Sequence, residues 1–227
     1  MRDVSRETQP PPAAAARVFG DSWPQAQRYA ALLGDAGVTR GLIGPREVGR
    51  LWDRHLLNCA AIGPDIASCS RVCDVGSGAG LPGLVLALAR PDLQVTLLEP
   101  LLRRATFLQE AVELLQLTDV EVVRSRAEDL RGRSFDVVTA RAVAPMSRLA
   151  GWTLPLCRPG GLLLALKGRS AAAELAEAVP VLRRLKAASW GVRSYPVVGV
   201  DTPALAVAVV TGGRDHRRPA GKPTEEG

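Results

Sequence analysis

The chain has 227 residues, 47% of them apolar, which is enough for a sizeable core and excludes global disorder. A formal charge of +6 permits a polyanionic partner such as nucleic acid without establishing one, and aromatic residues at 4% exclude base recognition by a wide stacking platform. No apolar run reaches the ~18 residues of a membrane span and no charged start precedes an apolar signal-type stretch, so a cytoplasmic protein without membrane contact is expected.

Residues 1–17 are rich in proline and alanine and read as a flexible arm. From Val18 to Gly37, Phe19, Trp23, Ala26, Tyr29, Ala30 and Leu33 recur at helical spacing, with Asp21 or Ser22 as N-cap and Pro24 near the start. Pro45 opens a second helix with Val48, Leu51, Trp52, His55, Leu56 and Cys59 along one side, and Gly63-Pro64 breaks it. Both helices precede the first strand, so residues 18–66 are expected to form a helical cap on a domain spanning 67–211. Cys59, Cys69, Cys73 and Cys157 make no C-x-x-C pair, and His55 and His216 are the histidines, so reduced thiols and no metal are expected.

Arg71 to Val75 is a short apolar run bounded by glycines, a buried strand. Strand and helix then alternate: strand Gln94–Leu98, helix Leu101–Leu117, strand Val120–Val123, strand Phe135–Ala140, helix Pro145–Leu156. Pro159-Gly160-Gly161 reads as a turn, Leu162–Lys167 as a fifth strand and Ala171–Ala188 as a helix that Pro180 kinks. Val192–Val198 and Leu205–Thr211 have no convincing helix between them and should pair antiparallel. Residues 212–227 read as a disordered polar tail. The fold class is therefore α/β, a Rossmann-like, mostly parallel sheet with an antiparallel last strand under an N-terminal cap.

The loop after the first strand holds Gly76, Gly78, Gly80 and Gly83. Gly76/Gly78/Gly80 fits the G-x-G-x-G loop of S-adenosylmethionine (SAM) methyltransferases, whereas Gly78/Gly80/Gly83 fits the dinucleotide fingerprint. Register favours SAM, because Gly76 directly follows the strand. Pro82 favours it too, deleting a donor that a pyrophosphate would want. Asp74 at the strand end suits a ligand with an ammonium and a sulfonium. The final antiparallel pair is a separate argument, since a dinucleotide fold expects a further β-α-β half there.

Glu99, 19 residues after Gly80, stands where a carboxylate can accept both ribose hydroxyls. Ala127-Glu128-Asp129 follows the third strand, where an adenine edge is read, although Glu128 or Asp129 serves equally as an N-cap. After the fourth strand comes Thr139-Ala140-Arg141-Ala142-Val143-Ala144-Pro145, with neither the Asp/Asn-Pro-Pro-aromatic of exocyclic-amine enzymes nor a Pro-Cys nucleophile. Arg141 can instead bind a phosphate or the O6/N7 edge of guanine, and Lys167 and Arg169 add charge beside it. Arg46, Arg50, Arg54 and His55 of the cap are placed to close over that edge.

Taken together, LWDRHLLN (51–58), DVGSGAGLPG (74–83), LLEPLLRRATFLQE (97–110), SRAED (125–129), TARAVAP (139–145) and LLALKG (163–168) resemble the RsmG family, also called glucose-inhibited division protein B. The resemblance covers roughly residues 18–211. It implies SAM as cofactor and methylation of guanine N7 in the decoding region of 16S ribosomal RNA, on free RNA or on an assembling small subunit. It places SAM contacts at Gly76, Leu81, Ala127, Glu128 and Arg141, with Glu99 at the ribose; Asp74, Gly78 and Gly80 complete the expected cofactor set. Arg141, Lys167 and His55 are expected to position substrate, with no catalytic base. The family commonly has Asp-Ser where this chain has Asn58-Cys59. A monomer is expected. An RNA-binding module without catalysis and an NAD(P) oxidoreductase are the competing readings.

Overall fold

The computed structural model describes residues 11–130 and 132–213; the first ten residues of the expected arm and the expected tail from 214 onward lie outside them. Strands β1 (Arg71–Val75), β2 (Gln94–Leu98), β3 (Val120–Val123), β4 (Phe135–Arg141), β5 (Cys157–Lys167), β6 (Ala187–Val197) and β7 (Val200–Thr211) form one sheet. Their order is β3-β2-β1-β4-β5-β7-β6. The pairs among β1 to β5 are parallel, and β7 runs antiparallel to both β5 and β6, as expected. Strand order reverses around β1, between β2 and β4, so the ligand crevice of such a sheet lies at the carboxyl ends of β1 and β4.

Alternation along each strand builds two cores. Val72, Val95, Leu97, Val137 and Leu164 face one side, where helices α4 (Gly83–Ala89) and α5 (Leu102–Leu115) pack. Cys73, Leu98, Val138, Leu163 and Ala165 face the other, under α6 (Met146–Thr153) and α7 (Ala171–Arg184). A one-residue slip would exchange the two sets, which is why register is strongly specified. Among the described residues no helix is long and apolar enough to cross a membrane.

Several expectations change. The arm ends earlier: helix α1 spans Ala15–Phe19 and Ala15 is fully buried, so residues 15–17 belong to the folded body. The cap is not a separate unit, because Tyr29, Leu33, Leu51, Leu56 and Ile62 lie in the same core as α4 and α5. It also departs from regular helix. Helix α2 (Trp23–Leu32) passes into a π-turn at Leu33–Gly37, and the second segment is a 3₁₀ turn (Pro45–Arg50), a π-turn (Leu51–Leu56) and a short α3 (Leu57–Ala60). A π-turn marks a place where tertiary contacts outweigh the regular backbone ladder.

Pro159-Gly160-Gly161 does not separate elements. It bulges out of β5, whose pairing jumps from Phe135↔Cys157 to Val137↔Leu162. A Cβ on Gly161 would come within 2.8 Å of the Arg158 carbonyl, so glycine makes the bulge possible. Helix α7 runs through Pro180 and ends at Arg184, because Lys186 turns the chain at φ +55° into β6.

Candidate active site

The glycine loop is shaped by what surrounds it. Gly76 has φ +70°, and a Cβ there would lie 2.8 Å from Val143 Cγ2. Gly80 has φ +95° with Leu84 Cδ1 at 2.4 Å and the Tyr29 hydroxyl at 2.8 Å from its would-be Cβ. Tyr29 donates to the Ala79 carbonyl at 2.7 Å, so α2 of the cap holds the loop from behind. Tyr29→Phe leaves that buried carbonyl without its partner and should lower unfolding free energy by about 1–3 kcal/mol in chemical denaturation.

Apart from that of Ala79, the loop amides are occupied. Gly76 and Ser77 donate to the Leu98 carbonyl, Gly80 and Leu81 to Ser77, Gly78 to Glu99 Oε2 and Gly83 to Asp74 Oδ2, while Pro82 has no N–H. A pyrophosphate needs such amides free. The loop therefore suits a ligand held through van der Waals contact and through acceptors, as the adenosyl part of SAM would be.

Asp74 was expected to meet the ligand's cationic end. It is instead fully buried, accepting from Gly83 N at 3.0 Å and from the Thr139 hydroxyl at 3.1 Å. Burial pushes its carboxyl up to about 6, against the pull of those hydrogen bonds. It braces the loop.

Glu99, also buried, accepts from Gly78 N and Leu101 N, each at 3.0 Å. One N–H per oxygen leaves lone pairs for further donors, as two ribose hydroxyls would be. Glu99 borders a cavity of about 410 Å³ with Gly76, Ala127, Glu128, Val143 and Trp152 in its wall. Of the expected cofactor residues, Gly76, Glu99, Ala127 and Glu128 line it, whereas Gly78, Gly80 and Leu81 shape the loop and Arg141 lies elsewhere.

A second cleft of about 830 Å³ shares the Ala142-Val143 wall with the first. Arg50, Arg54, Arg141 and Arg169 line it, together with Asp53 and Asn58. Ala142 stands at φ +56° and carries the wall round the end of β4. Lys167, expected to touch substrate, donates to the Ala144 carbonyl and to Glu174 Oε2, both at 2.7 Å, and its side chain is 8% exposed. Glu174 also accepts from Met146 N and the Ser170 hydroxyl. The pair fixes the wall loop, and the cleft's open charge comes from arginine.

Arg141 and His55 do meet. Arg141 donates to Cys59 Sγ at 3.2 Å, to the Arg54 carbonyl at 3.1 Å and to His55 Nδ1 at 2.7 Å. An arginine only donates, so Nδ1 is the acceptor and the proton is assigned to Nε2, which donates to Glu47 Oε2 at 3.0 Å. Burial and the Arg141 charge lower His55 to about 4, outweighing Glu47, so it is neutral near pH 7. Burial alone would raise the Glu47 carboxyl; His55 and Arg54 hold it below the usual range.

Tyr29, Glu47, Trp152 and Glu174 are site residues that sequence reasoning missed. Tyr29 meets Ala79 from 50 residues away, whereas Glu47 and Glu174 meet His55 and Lys167 across the irregular backbone between neighbouring elements, where no regular spacing pairs them. Among the described residues no group of three or more His, Cys, Asp or Glu side chains is placed to hold a metal.

The family model for rRNA small subunit methyltransferase G matches residues 22–194. The chain belongs to that family. Relatives named ribosomal RNA small subunit methyltransferase G include one from Thermobifida fusca, 53% identical over 224 residues that cover 93% of this chain and 94% of the relative. Another, from Streptomyces coelicolor, is 60% identical over 183 residues, covering 80% and 77%. Among solved structures, a SAM-dependent O-methyltransferase from Thermotoga maritima aligns with TM-score 0.51 at 18% identity, covering 70% of this chain and 65% of that one. A methyltransferase from Pyrococcus furiosus aligns at 0.52 and 16%, covering 67% and 80%. At such identities the likeness concerns the fold, which is that of class I SAM methyltransferases. Membership of the methyltransferase G family agrees with the motif resemblance, and both cavities of this member open at the sheet's switch point.

Proposed function

We propose that the chain transfers a methyl group from SAM to N7 of a guanosine in the decoding region of 16S ribosomal RNA, as a cytoplasmic monomer acting on free RNA or on an assembling small subunit. The observation that carries the proposal is the shared Ala142-Val143 wall. It divides a cavity with a carboxylate acceptor and mostly engaged loop amides from a cleft lined by arginines. Names of the relatives and the motif resemblance support the choice of RNA and atom.

When bound, SAM supplies a methyl group already activated on a positively charged sulfur. Glu99 would accept the ribose hydroxyls, and Gly76, Ala127 and Glu128 would line the adenosyl part. Arg50, Arg54 and Arg169 would hold RNA phosphates, with the salt dependence that such contacts carry. Arg141 aligns the cap against β4 and sets the far wall of the cleft. Guanine N7 has an in-plane lone pair and no proton to lose, so orientation is the main demand on the protein.

His55 is unsuited to base work, since both ring nitrogens are engaged and the ring is buried. Single-turnover rates at saturating SAM and RNA should therefore stay nearly flat between about pH 6 and 9, without the bell shape of paired acid–base catalysis. A limb near neutrality would reinstate a base. The proposal as a whole is tested by mapping methylation in 16S ribosomal RNA from cells with and without the chain. Loss of one N7-methylguanosine in the decoding region is expected, and an unchanged map would overturn it.

A further inference from the structure

We infer that Trp152 is the stacking surface for the adenine of SAM, an inference that rests on the function proposed above. Helix α6 buries Met146, Leu149, Ala150 and Thr153 along one stripe, and Trp152 lies off that stripe. Its ring packs at the margin of the core that contains residues of β4 and β5, is partly buried, and lines the same cavity as Glu99. Among the described residues it is the one aromatic ring that lines this cavity. Its indole N–H takes part in no hydrogen bond among them.

A tryptophan placed only to fill the core would have that ring closed in by apolar neighbours. Here the remaining exposure opens onto a volume that also contains Ala127 and Glu128, on the 3₁₀ turn Ala127–Asp129 after β3. With Glu99 accepting the ribose hydroxyls, the flat heteroaromatic end of the ligand falls toward that turn and Trp152. A single indole is sufficient: stacking tolerates any base, and the ring loses little conformational freedom on binding. The 4% aromatic content therefore argues against a broad RNA platform but not against one ring used on the cofactor.

The test is calorimetry of the full chain with SAM, S-adenosylhomocysteine and adenosine, alongside intrinsic fluorescence, for wild type, Trp152→Phe and Trp152→Leu. Loss of one aromatic–base stack corresponds to roughly five- to 150-fold in Kd. Trp152→Leu should weaken all three ligands by a common factor in that range, because adenosine retains the contact in question. Trp152→Phe, which keeps a ring, should stay within about threefold of wild type and should remove the fluorescence change that SAM produces. Wild-type affinity in Trp152→Leu for all three ligands, or a fluorescence change that survives in Trp152→Phe, would overturn the stacking role while leaving the methyltransferase reading intact. Failure of the wild type to bind any of the three would overturn both.

Discussion

Glu99→Ala should weaken SAM binding by about 1.5–3 kcal/mol, the range for a hydrogen bond to a charged group, read as a rise in Kd of roughly tenfold to 150-fold. Two effects combine in that figure. The carboxylate that would receive the ribose hydroxyls is lost, and Gly78 N and Leu101 N lose their acceptor, which loosens the glycine loop. Glu99→Gln tests the second effect. An amide offers one oxygen and one nitrogen, so one of the two backbone N–H groups would then face a donor. Calorimetry should place Gln much nearer to Ala than to wild type. Unchanged SAM affinity in both variants would make Glu99 a loop brace alone.

Asp74→Asn should change the pH dependence of stability by about 3 kcal/mol between pH 6 and 4. In the folded chain burial holds Asp74 at about 6, above its value near 4 when unfolded. The native state then takes up a proton before the unfolded state does, and acidification through this window favours the fold. His55 works in the opposite sense. Its folded value of about 4 lies below the ~6.5 of an unfolded histidine, so the unfolded state binds the proton first and stability falls from about pH 6.5 downward. At roughly 1.4 kcal/mol per pH unit, each group contributes about 3 kcal/mol across its window, and in wild type the two gradients largely oppose one another. Asparagine can accept from Gly83 N and donate to Thr139, so the variant should fold. Stripped of the Asp74 gradient, it should lose stability steeply as pH falls, measured as denaturation midpoints near pH 8, 6 and 4.5. Parallel curves for variant and wild type would show that Asp74 does not titrate there.

The central sheet was legible in the chain because its information is local. β1, β2 and β3 begin and end at the expected residues; β1 and β2 read as the apolar runs of buried parallel strands, and β3, at the sheet edge, as a short valine-rich stretch. The cap was legible as apolar helical spacing but not as backbone. Its π-turns and 3₁₀ turn accompany contacts made 80 or more residues away, among them Arg141 with the Arg54 carbonyl and Cys59. The site is legible only in part for a related reason. Glu99 and the glycines announce themselves through position after a strand. The hydrogen bonds that Asp74 and Lys167 make within the fold depend on Thr139, Ala144 and Glu174, which no spacing rule connects to them.

That the cap and α4 share one core governs how the chain can be cut and how it comes apart. A fragment starting at residue 67 would present the outer surface of α4 and α5 to water, where Tyr29, Leu33, Leu51 and Leu56 now sit. Such a fragment would aggregate rather than behave as a free-standing domain. Hydrogen exchange should accordingly find cap and sheet amides opening together in one cooperative step, so the cap is neither a lid that swings nor a module that can be grafted onto a sister enzyme.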